Sequence, residues 1–491
     1  MSAVGKFDFF DKSDARPVHF IGIAGAGMSG LAELLVRRGA KVQGTDSNPD
    51  GAPDLQNLGI VVTAHDATIV SRARAVVYSS AIPKDHPEMV RARTLGIPVI
   101  RRAEALAQAV SGGTLVAIAG THGKTTTTVM TTEALAEAKK NPTGIVGGRV
   151  GRWNGNLRLG GNDCFVVEAD EYDRSFLALT PTIAVVLNVE ADHLDIYRDL
   201  ADIKSTFETF IAPARYVVRC ADDAGAMSLH IGADHEVIAY SATAPNQTPV
   251  PATSDARVVA HDIEFNAEGS RFTLFFDNEK LGKVRLAVPG IHNVRNALAA
   301  LSCGFALGCD FRKMRDGLSL FQGVERRFQR ITNLNNVGSD AHGLLTAKEM
   351  NLEIIDDYAH HPTEIAATIA AARAQFPNRR LIVAFQPHLY SRTRDLHREF
   401  AEVLSQADAV FLCDIYGARE KPMDGVSSAL IGNLLPPQKL VWSGPRVELV
   451  QQLAPALNRN DVAITMGAGD ITRSSYELLE HLGRVVNAVK E

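Results

Sequence analysis

Thr114-Leu-Val-Ala-Ile-Ala-Gly-Thr-His-Gly-Lys-Thr-Thr126 sets an apolar run directly against a glycine loop that ends in a lysine and two threonines. The run Thr114–Ala119 reads as a buried strand, the loop as Gly120 to Gly123, and the residues after it as a helix start. This is the strand, loop and helix order of a phosphate-binding loop, although position 118 is Ile where the general G-x₄-G-K-[ST] form has its first glycine. The chemistry is legible. Backbone amides of Gly120, Thr121, His122, Gly123 and Thr126 can cradle phosphate oxygens, Lys124 can neutralise the terminal phosphates, and the Thr125 hydroxyl can reach Mg²⁺. A chance Gly-Lys-Thr-Thr at a helix start is the plain alternative, and the strand before it argues against that.

Downstream, Glu168-Ala-Asp170-Glu171-Tyr-Asp173 follows the predicted strand Cys164–Val167. Four carboxylates in six residues repel one another unless a cation or solvent separates them. A solvated turn is one reading. A Mg²⁺ site beside the phosphate loop is the other, with Glu168 as ligand because it stands nearest the strand. Asn188-Val-Glu-Ala-Asp192-His193 closes the next strand in similar fashion, and His193 could bind a second metal or orient phosphate.

Upstream, Gly22-Ile-Ala-Gly25-Ala26-Gly27-Met28-Ser29-Gly30 also follows a strand, Val18–Ile23, and opens a helix. Glycines let the backbone approach a diphosphate, and the helix N-terminus supplies amide donors. Asp46 ends the next strand, where a nicotinamide enzyme places its ribose-binding acid. By itself the turn fits a nicotinamide dinucleotide, another diphosphate such as a UDP-sugar, or a structural glycine turn.

Outward from these loops, strands and helices alternate along all 491 residues, which predicts an α/β protein with mostly parallel sheet. The length suggests about three domains. We expect an N-terminal Rossmann-like domain over 1–113, a central P-loop ATPase-like domain over 114–332 and a C-terminal Rossmann-like domain over 333–491. Asn333–Lys348 reads as an irregular connector or mobile hairpin, Ser241–Asp255 as turn-rich, and Val258–Phe276 as antiparallel strand. A net charge of −5 argues against a nucleic-acid surface, which wants a basic face. The five cysteines, Cys164, Cys220, Cys303, Cys309 and Cys413, show no zinc or redox spacing and read as buried thiols in a reducing compartment. No signal-peptide core and no bilayer-length apolar stretch is present, so no membrane insertion and a cytoplasmic placement are expected.

Taken together, His19–Gly30, Gly120–Thr128, Glu168–Glu171, Ala191–His193, Gly290–Ala297, Arg326–Gln329, Asp356–Glu364 and Phe385–Arg394 resemble the Mur ligase family, in its alanine-adding branch, from end to end. The resemblance implies an ATP- and Mg²⁺-dependent ligase that joins L-alanine to the lactyl carboxylate of UDP-N-acetylmuramate through an acyl phosphate. It gives the first glycine turn to the UDP-sugar, with Gly25, Ala26, Gly27, Met28, Ser29 and Gly30 at the diphosphate, Asp46 toward the uridine, and Ser79 and Ser80 as further substrate contacts. It implies Lys124, Glu168, His193, Arg327, His360 and Arg392 as catalytic, with Thr125, Glu168 and His193 on metal. His292, Asn293 and Asp357 face ATP, and Tyr358, His360 and Arg392 face the amino acid. For Asn293 a helix cap, and for the His360–His361 pair a simple helix-start role beside Pro362, stand as alternatives.

Two positions depart from the family pattern: Ala359 where many members carry Gly, and Leu389 where many carry Arg. They bear on how the amino acid is chosen. A ligase that attaches a preformed tripeptide in cell-wall recycling is the nearest competitor, and a nicotinamide dehydrogenase is the rival from another class. The latter gives Lys124, Thr125 and Glu168 no work. A monomer or weak homodimer is expected.

Overall fold

The structure, a computed structural model, describes residues 7–193, 196–242, 256–266, 268–332, 341–418 and 420–490. Its strands form three sheets. The first runs, in spatial order, Val61–Thr63, Val42–Thr45, Val18–Ile21, Ala75–Tyr78 and Val99–Arg101. Every neighbouring pair is parallel, so each connection must cross over, as the helix Ala26–Arg37 does. Strand order reverses between Val18–Ile21 and Ala75–Tyr78. The glycine turn follows the first of these strands and Ser79 and Ser80 follow the second. Both therefore lie at the crevice where a doubly wound sheet receives its ligand.

The second sheet repeats the device. Thr114–Ala119 lies between Ile183–Val186 and Cys164–Glu168, parallel to both. The register sets Ile118 beside Glu168 and Ala119 beside Val186. The phosphate loop, the acidic run and Asn188 consequently leave three adjacent strands at the same end. Beyond Ile183–Val186 the sheet continues through Tyr216–Cys220, Glu236–Ala242, Ala256–Asn266, Gly269–Phe276 and Glu279–Leu286; beyond Cys164–Glu168 it ends in Thr143–Val150 and Gly155–Arg158. The third sheet runs Gln329–Arg330, Glu353–Asp357, Val462–Met466, Leu381–Phe385, Ala409–Cys413 and Leu440–Gly444. Its first pairing is antiparallel and the rest are parallel.

By internal contacts the chain forms two compact units, Met1–Ile263 with Phe272–Arg285 and Val294–Phe321, and Glu264–Arg271 with Leu286–Asn293 and Gln322–Glu491. Within the first unit one apolar core is continuous from Val18, Phe20, Leu31 and Leu34 around the first sheet to Leu115, Phe165, Val167 and Phe207 around the second. Each fully buried side chain of that size contributes roughly 1.5–3 kcal/mol. The shared packing therefore outweighs any single ion pair between the two sheets.

One expectation is corrected. The spacing of Asn333–Lys348 predicts an irregular connector or hairpin, yet Ala341–Glu349 is a helix. Its Leu344 and Ala347 are buried, a three-residue apolar spacing too short to register as a period. Residues 333–340, and 243–255 of the turn-rich stretch, lie outside the described residues. Among the described residues no helix is long and apolar enough to cross a membrane.

Candidate active site

The phosphate loop owes its shape to two glycines. Gly120 has φ +144° and Gly123 φ +86°, and a Cβ on Gly123 would come within 2.9 Å of Asn296 Oδ1. Gly123 caps the helix Lys124–Glu137 with no side-chain hydrogen bond. The first amides of that helix are thus left to a ligand, and an anion is the ligand they suit. Asn188 pins the loop from the neighbouring strand: His122 N–H donates to its Oδ1 at 2.7 Å and its Nδ2 donates to His122 O at 3.1 Å. Glu190 N–H adds a bond to Thr121 Oγ1 at 3.0 Å.

Lys124 Nζ donates to Gly120 O at 2.6 Å and to both Glu171 carboxylate oxygens at 2.8 and 3.0 Å. Burial works against its ammonium, but Glu171, Asp170 and Glu168 hold it above its usual range. Burial likewise opposes the Glu171 carboxylate, which Lys124 and His193 bring below its usual range. His193 Nε2 lies 3.6 Å from Glu171 and 3.8 Å from Asp192. Desolvation pulls that imidazole down, and the two carboxylates raise it overall. Glu168 Oε2 stands 3.0 Å from where a Cβ on Gly147 would be, so a side chain at 147 would crowd the carboxylate. Thr125 is buried at the first turn of the helix. Lys124, Thr125, Glu168 and His193 are thus gathered at one end of the second sheet. Sequence reasoning chose Glu168 from the acidic run and left Glu171, the residue that holds Lys124, without a role.

At the first glycine turn, Met28 and Ser29 N–H return to Gly25 O, and Asn156 Nδ2 reaches Ala26 O at 2.9 Å from the second sheet. A Cβ on Gly30 would stand 3.5 Å from Asn156 and 3.6 Å from Ile145. Asp46 Oδ2 accepts from Ala24 N–H at 2.9 Å and its Oδ1 from Asn48 N–H at 3.0 Å, so it braces the turn directly. The residue missed here is Arg102. Its guanidinium lies 3.3–3.5 Å from the position of a Cβ on Gly27, and no hydrogen bond or ion pair to a described residue engages it. Neighbouring Arg101 is paired with Asp173. Arg102 is 75 residues from Gly27 in sequence, and no local spacing signals the approach.

In the second unit, Arg327 lies over the Tyr358 ring at 5.0 Å, with Arg326 at 4.7 Å, and Arg327 pairs with Glu364 at 3.5 Å. His360 Nδ1 is 3.0 Å from Tyr358 O and its N–H donates to Glu364 at 3.0 Å. His361 caps the helix Pro362–Gln375, which gives that histidine the helix-start role left open above. Asp357 points inward, accepting from Phe328 N–H, Ala359 N–H and the Thr368 hydroxyl. Burial pushes its carboxyl up to about 6, against the pull of Arg327. Between its ordinary value of 3.8 and about 6 the folded chain binds the extra proton. Asp357 therefore costs stability above that window, and the cost is relieved as pH falls through it. A ¹³C-carboxyl titration should place Asp357 near pH 6; a midpoint below 4.5 would refute the burial argument.

Asn293 Nδ2 donates to Pro289 O at 2.7 Å, and His292 stands over Gly290 at the start of the helix Ile291–Ala306. Both shape that turn. Arg392 is buried on the helix Tyr390–Leu404, which begins at Leu389 with φ +71° and ψ 137°. A leucine rarely adopts that backbone.

Three family models match the chain: the Mur ligase family catalytic domain over residues 17–114, the Mur ligase middle domain over 118–304 and the Mur ligase glutamate ligase domain over 345–469. A UDP-N-acetylmuramate–L-alanine ligase from Salinibacter ruber is 39% identical over 480 residues, 95% of this chain and 96% of that protein. The solved UDP-N-acetylmuramate-alanine ligase from Thermotoga maritima is 28% identical with TM-score 0.78, covering 96% and 100% of the two chains. A murein peptide ligase from Psychrobacter arcticus, 22% identical with TM-score 0.67 over 95% and 99%, shares the fold. With the matched segments spanning most of its length and both glycine loops in place, the chain belongs to the Mur ligase family.

Proposed function

We propose that this chain joins L-alanine to the lactyl carboxylate of UDP-N-acetylmuramate at the expense of ATP, the first amino-acid addition in peptidoglycan precursor synthesis. The observation that carries it is Lys124, aimed by Glu171 at the mouth of an uncapped phosphate loop, in a chain 39% identical along 95% of its length to a UDP-N-acetylmuramate–L-alanine ligase.

Each residue's role follows from its chemistry. The loop amides and Lys124 hold the γ-phosphate, which passes to the lactyl carboxylate. The amine of L-alanine then attacks the acyl carbon and phosphate leaves. Lys124 neutralises charge as it gathers on the transferring group. Arg327 is suited to the same task, and Arg392 to the carboxylate of the amino acid, because guanidinium binds such groups in a fork. Tyr358 and His360 shape the amino-acid side, His292 and Asn293 the adenine side, and Asp357 holds the loop between them.

The hydroxyl of Thr125 and the carboxylate of Glu168 are hard oxygen donors, as Mg²⁺ requires, and the local excess of carboxylates over Lys124 gives a cation a place. Mg²⁺ bound there would offset phosphate charge and orient the γ-phosphate, with His193 at the rim. We place the domain boundaries at 113/114 and 332/333 and the enzyme in the cytoplasm, where its nucleotides are.

Arg102 belongs to the diphosphate in this scheme. A charge-assisted bond is worth about 1.5–3 kcal/mol, so Arg102→Ala should raise KM for UDP-N-acetylmuramate about 10- to 100-fold with kcat little changed. An unchanged KM removes Arg102 from the site.

The overall reading is tested by phosphate release from ATP with UDP-N-acetylmuramate and a panel of L-alanine, glycine, L-serine and the tripeptide. No release with L-alanine sinks it. Faster turnover with the tripeptide gives the chain to the recycling ligases instead.

A further inference from the structure

Behind the first glycine turn, whose Gly22 and Ile23 N–H bond Thr45 O, the first sheet carries a histidine–carboxylate cluster that the ligase reaction does not use. His86 is the N-cap residue of the helix Pro87–Thr94 and Glu88 lies in its first turn. His65 follows the strand Val61–Thr63. One ligand atom from each of His65, His86 and Glu88 lies within 4.8 Å of those of the other two. The two imidazoles meet edge to face with centroids 4.8 Å apart.

A buried carboxylate with histidine neighbours is often no more than a satisfied structural network, and Glu88 has such a network. Its oxygens accept from the Thr45 hydroxyl at 2.7 Å and Asp66 N–H at 3.0 Å, with His19 Nε2 at 2.8 Å and His65 Nδ1 at 3.1 Å. That explanation accounts for Glu88, His19 and Thr45. It leaves His86 over, because its Nδ1 is buried with no hydrogen-bond partner among the described residues. An orphaned buried polar atom costs about 1–3 kcal/mol, so an imidazole that keeps one and also stands in this cluster calls for a partner.

We propose that His65, His86 and Glu88 form a binding site for a divalent transition metal of the zinc class. Two neutral imidazoles and one carboxylate are the donor set zinc takes when three protein ligands leave a fourth position to solvent. Tetrahedral ligands at zinc bond lengths stand about 3.4 Å apart, so a separation at the 4.8 Å limit must contract by about 1.4 Å. His65 Nδ1 already stands 3.1 Å from Glu88, so His86 is the side chain that must close on the pair. Thr45, Asp66 N–H and His19 then serve as the outer partners that fix the Glu88 carboxylate and its orientation. Because His65 Nδ1 now faces Glu88 and Thr45, ligation through that nitrogen moves the ring proton to Nε2, and a protonated ring cannot bind the ion. The site does not depend on the ligase reading, since neither glycine loop contributes a ligand.

The test uses the full chain with Zn²⁺ alone by calorimetry, and Co²⁺ as a spectroscopic substitute, on wild type, His65→Ala, His86→Ala and His122→Ala. The His122 variant removes an imidazole near Glu190, at 3.6 Å, and controls for binding at the phosphate loop. The expected result is one equivalent of metal with intense low-symmetry Co²⁺ bands in wild type and His122→Ala. Both variants of the cluster should bind at least tenfold more weakly and lose the bands while keeping the wild-type circular dichroism. Zn²⁺ binding equal to wild type in His65→Ala and His86→Ala overturns the site, as does an equivalent lost only in His122→Ala or no binding by wild type.

Discussion

Lys124→Met is expected to lower turnover about 1,000-fold or more, the scale seen when a preorganised electrostatic partner is removed from a transition state. The ammonium is held on Gly120 O and on both oxygens of Glu171, so it is positioned before any nucleotide arrives. The same change leaves Glu171, 3% exposed, as a buried charge with only His193 to answer it. Breaking such a pair costs about 3–5 kcal/mol, and a dead enzyme could then be an unfolded one. The double variant Lys124→Met/Glu171→Gln separates the two effects. It should recover most of the lost stability by thermal denaturation and none of the activity, and recovered turnover would show that Lys124 is structural. Changing pH does not substitute for the mutation. Glu171, lowered in the fold, contributes stability that is complete above its ordinary 4.5 and lost as pH falls below it. Lys124, raised in the fold, contributes stability that is complete below its ordinary 10.5 and lost above it. Between those limits the pair's contribution is flat.

Gly120→Ala is expected to weaken ATP binding about 100-fold while leaving UDP-N-acetylmuramate binding within about twofold, both read by calorimetry. At φ +144° an added Cβ would sit 2.9 Å from Leu187 Cβ, 3.1 Å from Asn188 N and 3.2 Å from Leu187 N. Two of those three atoms are backbone of the adjoining strand end and cannot rotate away. A non-glycine residue in this conformation is strained by about 1–3 kcal/mol, so the loop must move to relieve both. Movement breaks the bonds from Asn188 that aim the amides. Gly151→Ala, where an added methyl meets no atom within 4 Å, is the matched control and should bind ATP like the parent. Equal ATP affinity in the Gly120 variant would mean that the loop does not shape the nucleotide site.

The α/β class and the two loops were legible because strand, glycine turn and helix follow one another within about fifteen residues. Thr114–Thr126 and Val18–Gly30 each carry their own context. The register placing Glu168 beside Ile118 was half legible, as the acidic run visibly ended a strand. What local spacing could not supply was which of its carboxylates turns toward Lys124. The answer depends on a backbone excursion at Asp173 and Arg174, both at positive φ, and on Tyr197, whose hydroxyl holds Glu171 O at 2.6 Å. Arg102 over Gly27 and Asn156 against Ala26 were out of reach for the same reason: each is a meeting of segments 75 or more residues apart. Asp46 and Asp357 sat where ligand-binding acids were expected, and both spend hydrogen bonds on their own chain.

The apolar core that runs unbroken from Phe20 and Leu34 to Phe165 and Phe207 bears on how such genes can be recombined. A crossover between residues 113 and 114 would join two half-cores shaped by different ancestors, leaving voids and clashes along the seam that neither parent contains. A crossover near 321, where the first unit's last segment ends, keeps that apolar core whole. Chimeras of related ligases should therefore fold most often when their first two sheets are inherited together, as one block.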